Sequence, residues 1–334
     1  MDSFTQIVLG AAVGEAVLGK KVGNKALLWG AIAGTIPDLD VFMLPLFNDV
    51  DGLYIHRGYS HSLLFAFLLA PVLGFIITKI YKKKRQASFK QWTTLAFLSL
   101  VTHPLLDIFT IYGTPIFLPF SNYRFAFCSV NVVDFFYTVP FFISVLIILY
   151  SKKRIRLRKI ANFMGLTLST LYLMFTLINK FYIDNFFENN LKKQHLKFTA
   201  IKTTPLPGTN FLWQCVAKTD SGFYLGLHSV IKKNKSNVKF NFIPQNNKFI
   251  KNFKDNKEIQ KLINFTQGFY AIKQKNDTII FSDLKFGRTG FSKTSNFIFT
   301  FYISNKNNNL AIKRKINIPK NKKLFIKELF NLTF

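Results

Sequence analysis

Six long apolar stretches in the first 183 residues constrain the fold more than any other feature of this chain. A helix needs about 20 predominantly apolar residues to cross a bilayer. Three of the stretches meet that length comfortably, whereas the first is short and contains Gln6 and Glu15, so it either spans with a tilt, re-enters or packs inside the bundle. The sequence predicts an α-helical integral membrane bundle of about five to six segments, at residues 4–19, 26–47, 61–80, 92–110, 131–150 and 160–183.

The rest of the chain has a different pattern. Short aromatic-rich stretches alternate between apolar and polar residues and are separated by turn clusters such as Thr219-Asp220-Ser221-Gly222, which is typical of β-strands. We therefore expect two domains, a helical membrane domain at 1–185 and a smaller β-rich soluble domain at 196–334. The predicted strands are 211–218, 223–231, 237–243, 278–282, 297–304 and 310–316, with one helix at about 255–265.

The chain is strongly basic. Its formal net charge is +29, and residues 196–334 alone hold 25 Lys and Arg against 6 Asp and Glu. Two explanations account for this excess equally well. One is a base-composition bias toward Lys, Asn, Ile and Phe. The other is attraction to membrane lipids or to an anionic, phosphate-bearing substrate. Nucleic acid is not an expected partner, because no DNA- or RNA-binding motif accompanies the charge.

Three polar patches lie inside or beside the apolar stretches. A carboxylate or imidazole at membrane depth is costly and therefore seldom without a function. Neutral imidazole combined with carboxylate is the ligand set of catalytic zinc, manganese and iron sites. The patches predict a divalent metal site, with Zn²⁺ foremost and Mn²⁺ or Fe²⁺ as alternatives, in Pro37-Asp38-Leu39-Asp40, His56-Arg57-Gly58-Tyr59-Ser60-His61 and His103-Pro104-Leu105-Leu106-Asp107.

Each patch also has a simpler interpretation. His103 and Asp107 share a helix face because they are four residues apart, and a buried hydrogen bond between them would explain that spacing without a metal. Ser60 would equally serve as a helix N-cap. The occurrence of all three patches together favours the metal site. Its predicted ligands are His56, His61, His103, Asp38, Asp40 and Asp107, with Asp134, at the start of the fifth segment, as a further candidate.

The basic loops predict the orientation. Every second loop is rich in Lys and Arg, at residues 20–25, 82–85 and 152–159, and the positive-inside rule places such loops in the cytoplasm. The three patches then lie toward the outer leaflet. We expect a multi-pass protein of the bacterial inner (cytoplasmic) membrane, with the metal site and the C-terminal domain on the outer side.

Four segments in a fixed order resemble a known family. They are Met1–Gly19, Gly34–Asp40, His56–Ser62 and His103–Asp107, and together they are similar to the bacterial membrane-bound metal-dependent hydrolases, some of which are described as LexA-regulated inner-membrane hydrolases. The resemblance covers roughly residues 1–140, and the tail is less distinctly similar to longer members. Many members carry His where this chain has Gln6. If that His is a ligand, the site here holds one metal fewer or a different metal.

The residues and the resemblance together predict a hydrolase. A bound metal lowers the pKa of water to about 7, and a carboxylate serves as general base. The expected substrate is a lipid-like ester or phosphoester at the outer leaflet. Arg57 is expected to bind its anionic group. The predicted catalytic residues are Asp38, Asp40, His61 and Asp107. A metal-ion or proton-coupled transporter and a non-catalytic membrane scaffold remain the alternative functions.

Overall fold

The structure is a computed structural model that describes residues 1–82, 86–151, 154–232, 238–306 and 309–334. The chain divides into two compact units. The first comprises Met1–Phe47 and Tyr54–Leu177, and the second comprises Asn48–Leu53 and Ile178–Phe334. The first is helical and the second contains two antiparallel sheets, which confirms the predicted fold class.

The helical unit follows the predicted segments closely. Helix α2 ends at Thr35, and the chain continues as a 3₁₀ helix over Ile36–Leu46 that contains Pro37. Pro cannot donate the backbone hydrogen bond that an α-helix interior requires. The helices are α1 (Ser3–Val22), α2 (Asn24–Thr35), α3 (Gly52–Ile55), α4 (Leu63–Ile80), α5 (Phe89–Asp107), α6 (Phe135–Tyr150) and α7 (Ile155–Lys193).

Three helical stretches among the described residues are long and apolar enough to cross a bilayer: Asn24–Leu46, Leu63–Ile80 and Ile155–Lys193. Helix α6 is also apolar but has only 16 residues. The first and fourth predicted segments form α1 and α5, whose polar residues lower their hydropathy. Both helices bury much of their surface against neighbouring helices, and they carry several of the site residues.

Glycines allow α1 and α2 to pack backbone against backbone. A Cβ added at Gly10 would lie 2.4 Å from the carbonyl oxygen of Gly30, and one at Gly14 would lie 2.1 Å from that of Ala26. Such close approach of small residues is a common means of helix association in membranes. It also fixes the position of Gly34, at the end of α2, whose carbonyl oxygen belongs to the candidate site described below.

Glu15 and Arg158 form a buried ion pair in the same unit. Nε of Arg158 donates to Oε1 of Glu15 at 2.9 Å, and Nη2 donates to Oε2. Nη1 donates to the side chain of Asn24 and to the carbonyl oxygen of Ile148. Sequence analysis treated Arg158 as part of a basic loop and gave Glu15 no role. The pair instead joins α1 to α7 inside the bundle.

The second unit contains two four-stranded antiparallel sheets with strand orders β1-β2-β3-β4 and β5-β6-β7-β8. Apolar side chains from both sheets share one core, which includes Val216, Phe223, Leu284 and Phe297. The elements are β1 (Ala200–Pro205), β2 (Leu212–Lys218), β3 (Gly222–Ser229), β4 (Asn241–Pro244), α8 (Lys257–Phe265), β5 (Tyr270–Lys275), β6 (Thr278–Arg288), β7 (Phe297–Lys306), β8 (Asn309–Ile316) and α9 (Lys322–Thr333), with a short 3₁₀ helix at Asn247–Phe253.

The predicted strands and the helix at 255–265 recur with shifted ends, but β1, β5 and α9 were not predicted. The strand predicted at 237–243 begins only at Asn241, and its first residue, 237, lies outside the described residues. The strand predicted at 278–282 extends to Arg288. The added residues include Asp283 and Lys285, whose charged side chains are both buried, with Nζ of Lys285 at 3.7 Å from Oδ2 of Asp283.

Asp283 makes the stability of this unit depend on pH. Burial raises the pKa of Asp283 from 3.8 to about 6, although the charge of Lys285 opposes that shift. A raised folded-state pKa contributes stability below pH 3.8 that is lost as the pH rises through about 6. We expect the wild type to lose about 2 kcal/mol relative to Asp283→Asn between pH 4.5 and pH 7. Denaturant unfolding of both proteins at the two pH values measures this difference, and equal pH dependence would contradict it.

Candidate metal centre

Three residues that are distant in sequence place their ligand atoms close together. Asp38 comes from the 3₁₀ helix after α2, His61 from a 3₁₀ turn at Tyr59–His61, and His103 from the last turns of α5. Nε2 of His61 lies 3.2 Å from Nε2 of His103. Oδ1 of Asp38 lies 3.6 Å from the first of these nitrogens and 3.4 Å from the second.

The hydrogen bonds of each imidazole determine which nitrogen is available. Nδ1 of His103 lies 2.6 Å from the carbonyl oxygen of Gly34, which can only accept, so Nδ1 carries the hydrogen. Nδ1 of His61 lies 2.9 Å from Oγ of Ser60. That hydroxyl donates its own hydrogen to Asp40, so it accepts from His61. In the neutral rings, both Nε2 atoms therefore present lone pairs, which is the orientation of metal-ligating histidines.

The Asp107 carboxylate lies beside these three ligand atoms. Its Oδ1 accepts from Nε2 of Gln6 at 3.0 Å and from the amino group of Met1. Its Oδ2 lies 3.4 Å from Nε2 of His61 and 3.7 Å from Nε2 of His103. This second oxygen is buried and has no hydrogen-bond partner among the described residues, although Nε of Arg57 is 3.2 Å away. Buried polar atoms seldom lack a partner, so such an atom calls for an unseen water or ion.

The spacing of these atoms suits a small divalent cation. Ligands at 2.0–2.2 Å from a tetrahedral zinc are separated from one another by about 3.3–3.5 Å. The five separations given above run from 3.2 to 3.7 Å. Two lone pairs facing each other at 3.2 Å repel unless a cation or a proton lies between them. The residues present therefore fit a site of two histidines with one or two carboxylates.

Asp40 contacts the loop that carries His61, and His56 contacts Asp40. Oδ2 of Asp40 accepts from Oγ of Ser60 at 2.9 Å and from the backbone N–H of Arg57 at 3.0 Å. Its Oδ1 lies 2.9 Å from Nδ1 of His56. These bonds hold the loop that carries His61, whose Nδ1 is 3.3 Å from Asp40 Oδ2. These contacts suit a positioning role for Asp40 and His56, and their predicted role as direct ligands stays a prediction.

Arg57 is buried within the site, with 3% of its surface exposed. Nη1 donates to Oγ1 of Thr110 at 2.7 Å, and the guanidinium lies over the ring of Tyr112 at 5.1 Å. The backbone is left-handed there, with φ 55°, a strained conformation for a residue that is not glycine. Arg57 thus compensates the charge of Asp107, and its predicted contact with an anionic substrate stays a prediction.

Asp134 has contacts of a different kind. It is the N-cap of α6, where its carboxylate accepts from the backbone N–H of Tyr137 at 3.1 Å and from the hydroxyl of Tyr172 at 2.9 Å. Helix caps favour Asp because its side chain satisfies an otherwise unpaired N–H group. The structure gives this residue a structural role instead of the role of a further ligand.

Three supporting groups had little signal in the sequence. Gln6 orients Asp107, Ser60 orients His61, and the Gly34 carbonyl orients His103. A backbone carbonyl leaves no sequence signal beyond the glycine itself. The signals for Gln6 were its position in a short apolar segment and the His that many members of the resembled family carry there.

Replacement of Asp40 tests its positioning role. We expect Asp40→Asn to weaken zinc binding by about 10–100-fold, the usual cost of losing a group that orients a ligating histidine. The measurement is a competition titration of detergent-purified protein with a chromophoric chelator. Asp220→Asn, in an exposed turn of the second unit, is the matched control. Equal zinc affinity in wild type and Asp40→Asn would exclude this role.

Comparison with known proteins agrees with the helical unit. The family model of the YdjM inner membrane protein matches residues 1–183, which is more than half of the chain. The chain belongs to the YdjM inner membrane protein family. The region matched to the YdjM family contains every predicted ligand, and it ends before the first strand of the β-rich unit. The chain is thus a membrane protein, as the apolar segments predicted.

Two curated proteins are similar to the same part of the chain. The "Uncharacterized protein YfhP" of Bacillus subtilis (strain 168) is 32% identical over 141 residues, which are 40% of this chain and 42% of that protein. The "Inner membrane protein YbcI" of Escherichia coli (strain K12) is 29% identical over 124 residues, which are 36% of this chain and 69% of that protein. The match thus spans less than half of the Bacillus protein. No solved structure is similar.

Proposed function

We propose that this member of the YdjM family is a membrane-bound, metal-dependent hydrolase that acts on an ester or phosphoester, lipid-like in character, at the outer leaflet of the inner membrane. One observation carries the proposal. Two imidazole nitrogens with available lone pairs lie 3.2 Å apart, with the Asp38 carboxylate oxygen within 3.6 Å of both.

Asp38, His61 and His103 would hold the ion, with Zn²⁺ favoured by the donor set and Mn²⁺ or Fe²⁺ as alternatives. When bound, such an ion lowers the pKa of a water ligand to about 7 and polarises a carbonyl or phosphoryl oxygen. Three protein ligands are the usual number in catalytic zinc sites, which keep one position for water or substrate.

The chain's own residues supply the remaining functions. Oδ2 of Asp107 is buried without a hydrogen-bond partner among the described residues, so it can accept a proton as general base. Nε of Arg57, at 3.2 Å, orients that carboxylate. Asp40 holds the loop of His61 in place through the backbone of Arg57 and the hydroxyl of Ser60.

The surface next to the site supports a lipid-like substrate. The 3₁₀ helix that carries Asp38 continues with apolar side chains, of which Phe42 is 76% and Leu46 78% exposed. An exposed apolar segment of this kind suits contact with acyl chains. Every second loop is basic, and the positive-inside rule places such loops in the cytoplasm. The site residues lie toward the opposite ends of the segments, which supports an outward-facing site.

A transporter would need polar groups through the depth of the bundle. Along α1, however, eight apolar or glycine residues at 7–14 separate Gln6 at the site from Glu15. This arrangement favours a localised catalytic centre over a pathway.

Hydrolysis assays test the proposal. We expect wild-type protein in nanodiscs to hydrolyse p-nitrophenyl octanoate, bis(p-nitrophenyl) phosphate or phosphatidylglycerol, and a zinc chelator to abolish this activity until zinc is restored. Asp107→Asn should lower the rate by about 100-fold or more, the usual contribution of a general base, whereas Asp220→Asn should not. If chelation and Asp107→Asn leave hydrolysis unchanged, or if none of the three substrates is cleaved, the proposal fails.

A further inference from the structure

The β-rich unit contains a cavity of about 240 Å³ that the proposed hydrolysis does not use. Its walls come from both sheets and from α9, and they include the apolar side chains of Leu206, Leu225, Leu227, Ile298 and Phe325. A dry cavity of about 150 Å³ accommodates benzene. The space here is larger and suits a single acyl chain of medium length.

The lining also carries three cations, Lys239, Arg288 and Lys293, and no carboxylate among the described residues. Lys239 and Lys293 are exposed, whereas Arg288 is half-buried, and burying part of a positive charge against apolar walls is costly unless an anion compensates it. The charge distribution of the cavity therefore favours a ligand with an anionic group.

Arg288 has the features of an anion-binding group. Its Nη1 donates to the backbone carbonyl oxygens of Ser292 and Lys293, and its guanidinium lies over the ring of Phe297 at 4.7 Å. These contacts fix the plane of the guanidinium. Its Nε is buried and has no hydrogen-bond partner among the described residues. Burial also lowers the pKa of Arg288, as expected for a cation without a counter-ion.

A carboxylate or phosphate forms paired hydrogen bonds with a guanidinium, because two oxygens match two adjacent N–H groups. We propose that this cavity binds a single-chain amphiphile with an oxyanion head group, such as a medium-chain fatty acid or an alkyl phosphate. The head group bonds to the guanidinium of Arg288, with Lys239 and Lys293 adding charge, and the chain packs against Leu225, Leu227 and Ile298.

Equilibrium binding of radiolabelled decanoate and decyl phosphate to the full chain in amphipols tests this site. Arg288→Gln and Arg288→Lys remove the paired bonds, and Leu227→Trp fills the cavity. Lys313→Gln, an exposed position of β8 outside the cavity lining, is the matched control for the loss of one positive charge. Thermal unfolding of each variant shows whether it is folded.

We expect saturable binding of at least one amphiphile to the wild type, about tenfold or greater weakening in both Arg288 variants, loss of binding in folded Leu227→Trp and no change in Lys313→Gln. The stronger ligand of the two identifies the head group. Absence of binding, equal weakening in Arg288→Gln and Lys313→Gln, or full displacement by equimolar inorganic phosphate would overturn the proposal. Failure of hydrolysis would not affect it, because the readout is binding in the other unit.

Discussion

Alanine at His61 or His103 is expected to reduce the zinc content of the purified protein from about one ion per chain to below about a tenth. Each substitution removes an Nε2 atom that lies within 3.6 Å of the Asp38 carboxylate oxygen. Loss of a group that orients a ligand lowers metal affinity about 10–100-fold. Loss of the ligand itself should lower the affinity further. Elemental analysis of protein purified in detergent, after dialysis against a weak chelator, measures the effect.

His195→Asn is the matched control for this experiment. His195 is exposed, lies outside the cluster and has φ 55°, and Asn tolerates this left-handed backbone conformation. The control removes one imidazole and should leave the zinc content unchanged. Equal zinc content in His103→Ala and wild type would refute the metal centre, and with it the proposed hydrolysis.

Breaking the Glu15–Arg158 pair is expected to destabilise the helical unit more than any other single substitution considered. Arg158→Met leaves the Glu15 carboxylate buried without its partner, at a cost of about 3–5 kcal/mol. The double variant Glu15→Gln/Arg158→Met should recover most of this loss, because neither buried charge remains. Thermal unfolding of detergent-purified protein, followed by circular dichroism, gives the order of the three proteins.

Lys192→Met provides the comparison with an exposed pair. Lys192 and Glu188 also form a salt bridge, but their side chains are 63% and 40% exposed. Exposed pairs contribute about 0–1 kcal/mol, so this variant should unfold close to the wild type. If Arg158→Met behaves like Lys192→Met, the ion pair does not stabilise the bundle.

The local features of the three patches were predictable from the sequence, because each signal came from residues that are close in the chain. His103 and Asp107 share a helix face by their spacing, and Pro37 marked the point where α2 gives way to a 3₁₀ helix. The fold class followed from apolar stretches and from alternating patterns. These properties depend on residues that are neighbours in the chain.

The division of roles within the site could not be predicted in the same way. His56 and His61 belong to one patch, but only Nε2 of His61 approaches His103, because the left-handed turn at Arg57 separates the two rings. Asp134 follows the rules for a metal ligand and for a helix cap equally well. Its contact with Tyr172, from a helix far along the chain, assigns it to the second role.

Buried charges were the other source of error. Arg158 falls in a run of Lys and Arg that predicts a solvated loop, and Asp283 and Lys285 fall at the end of an apolar strand. All three are buried and paired in the structure. A sequence pattern predicts that a charged residue is exposed. Burial of such a residue depends on its partner, and for Arg158 that partner is distant in sequence.

The acceptor that orients His103 is a backbone oxygen, and no substitution can delete a backbone oxygen. It can only be displaced, and its position depends on how closely α1 and α2 approach. A single methyl group at Gly30 would meet the carbonyl oxygen of Gly10 at 2.2 Å. The interface between α1 and α2 contributes no ligand, yet it determines the position of that oxygen. Ion affinity should therefore respond to substitution of Gly30, which lies four residues from Gly34 and eight from Asp38.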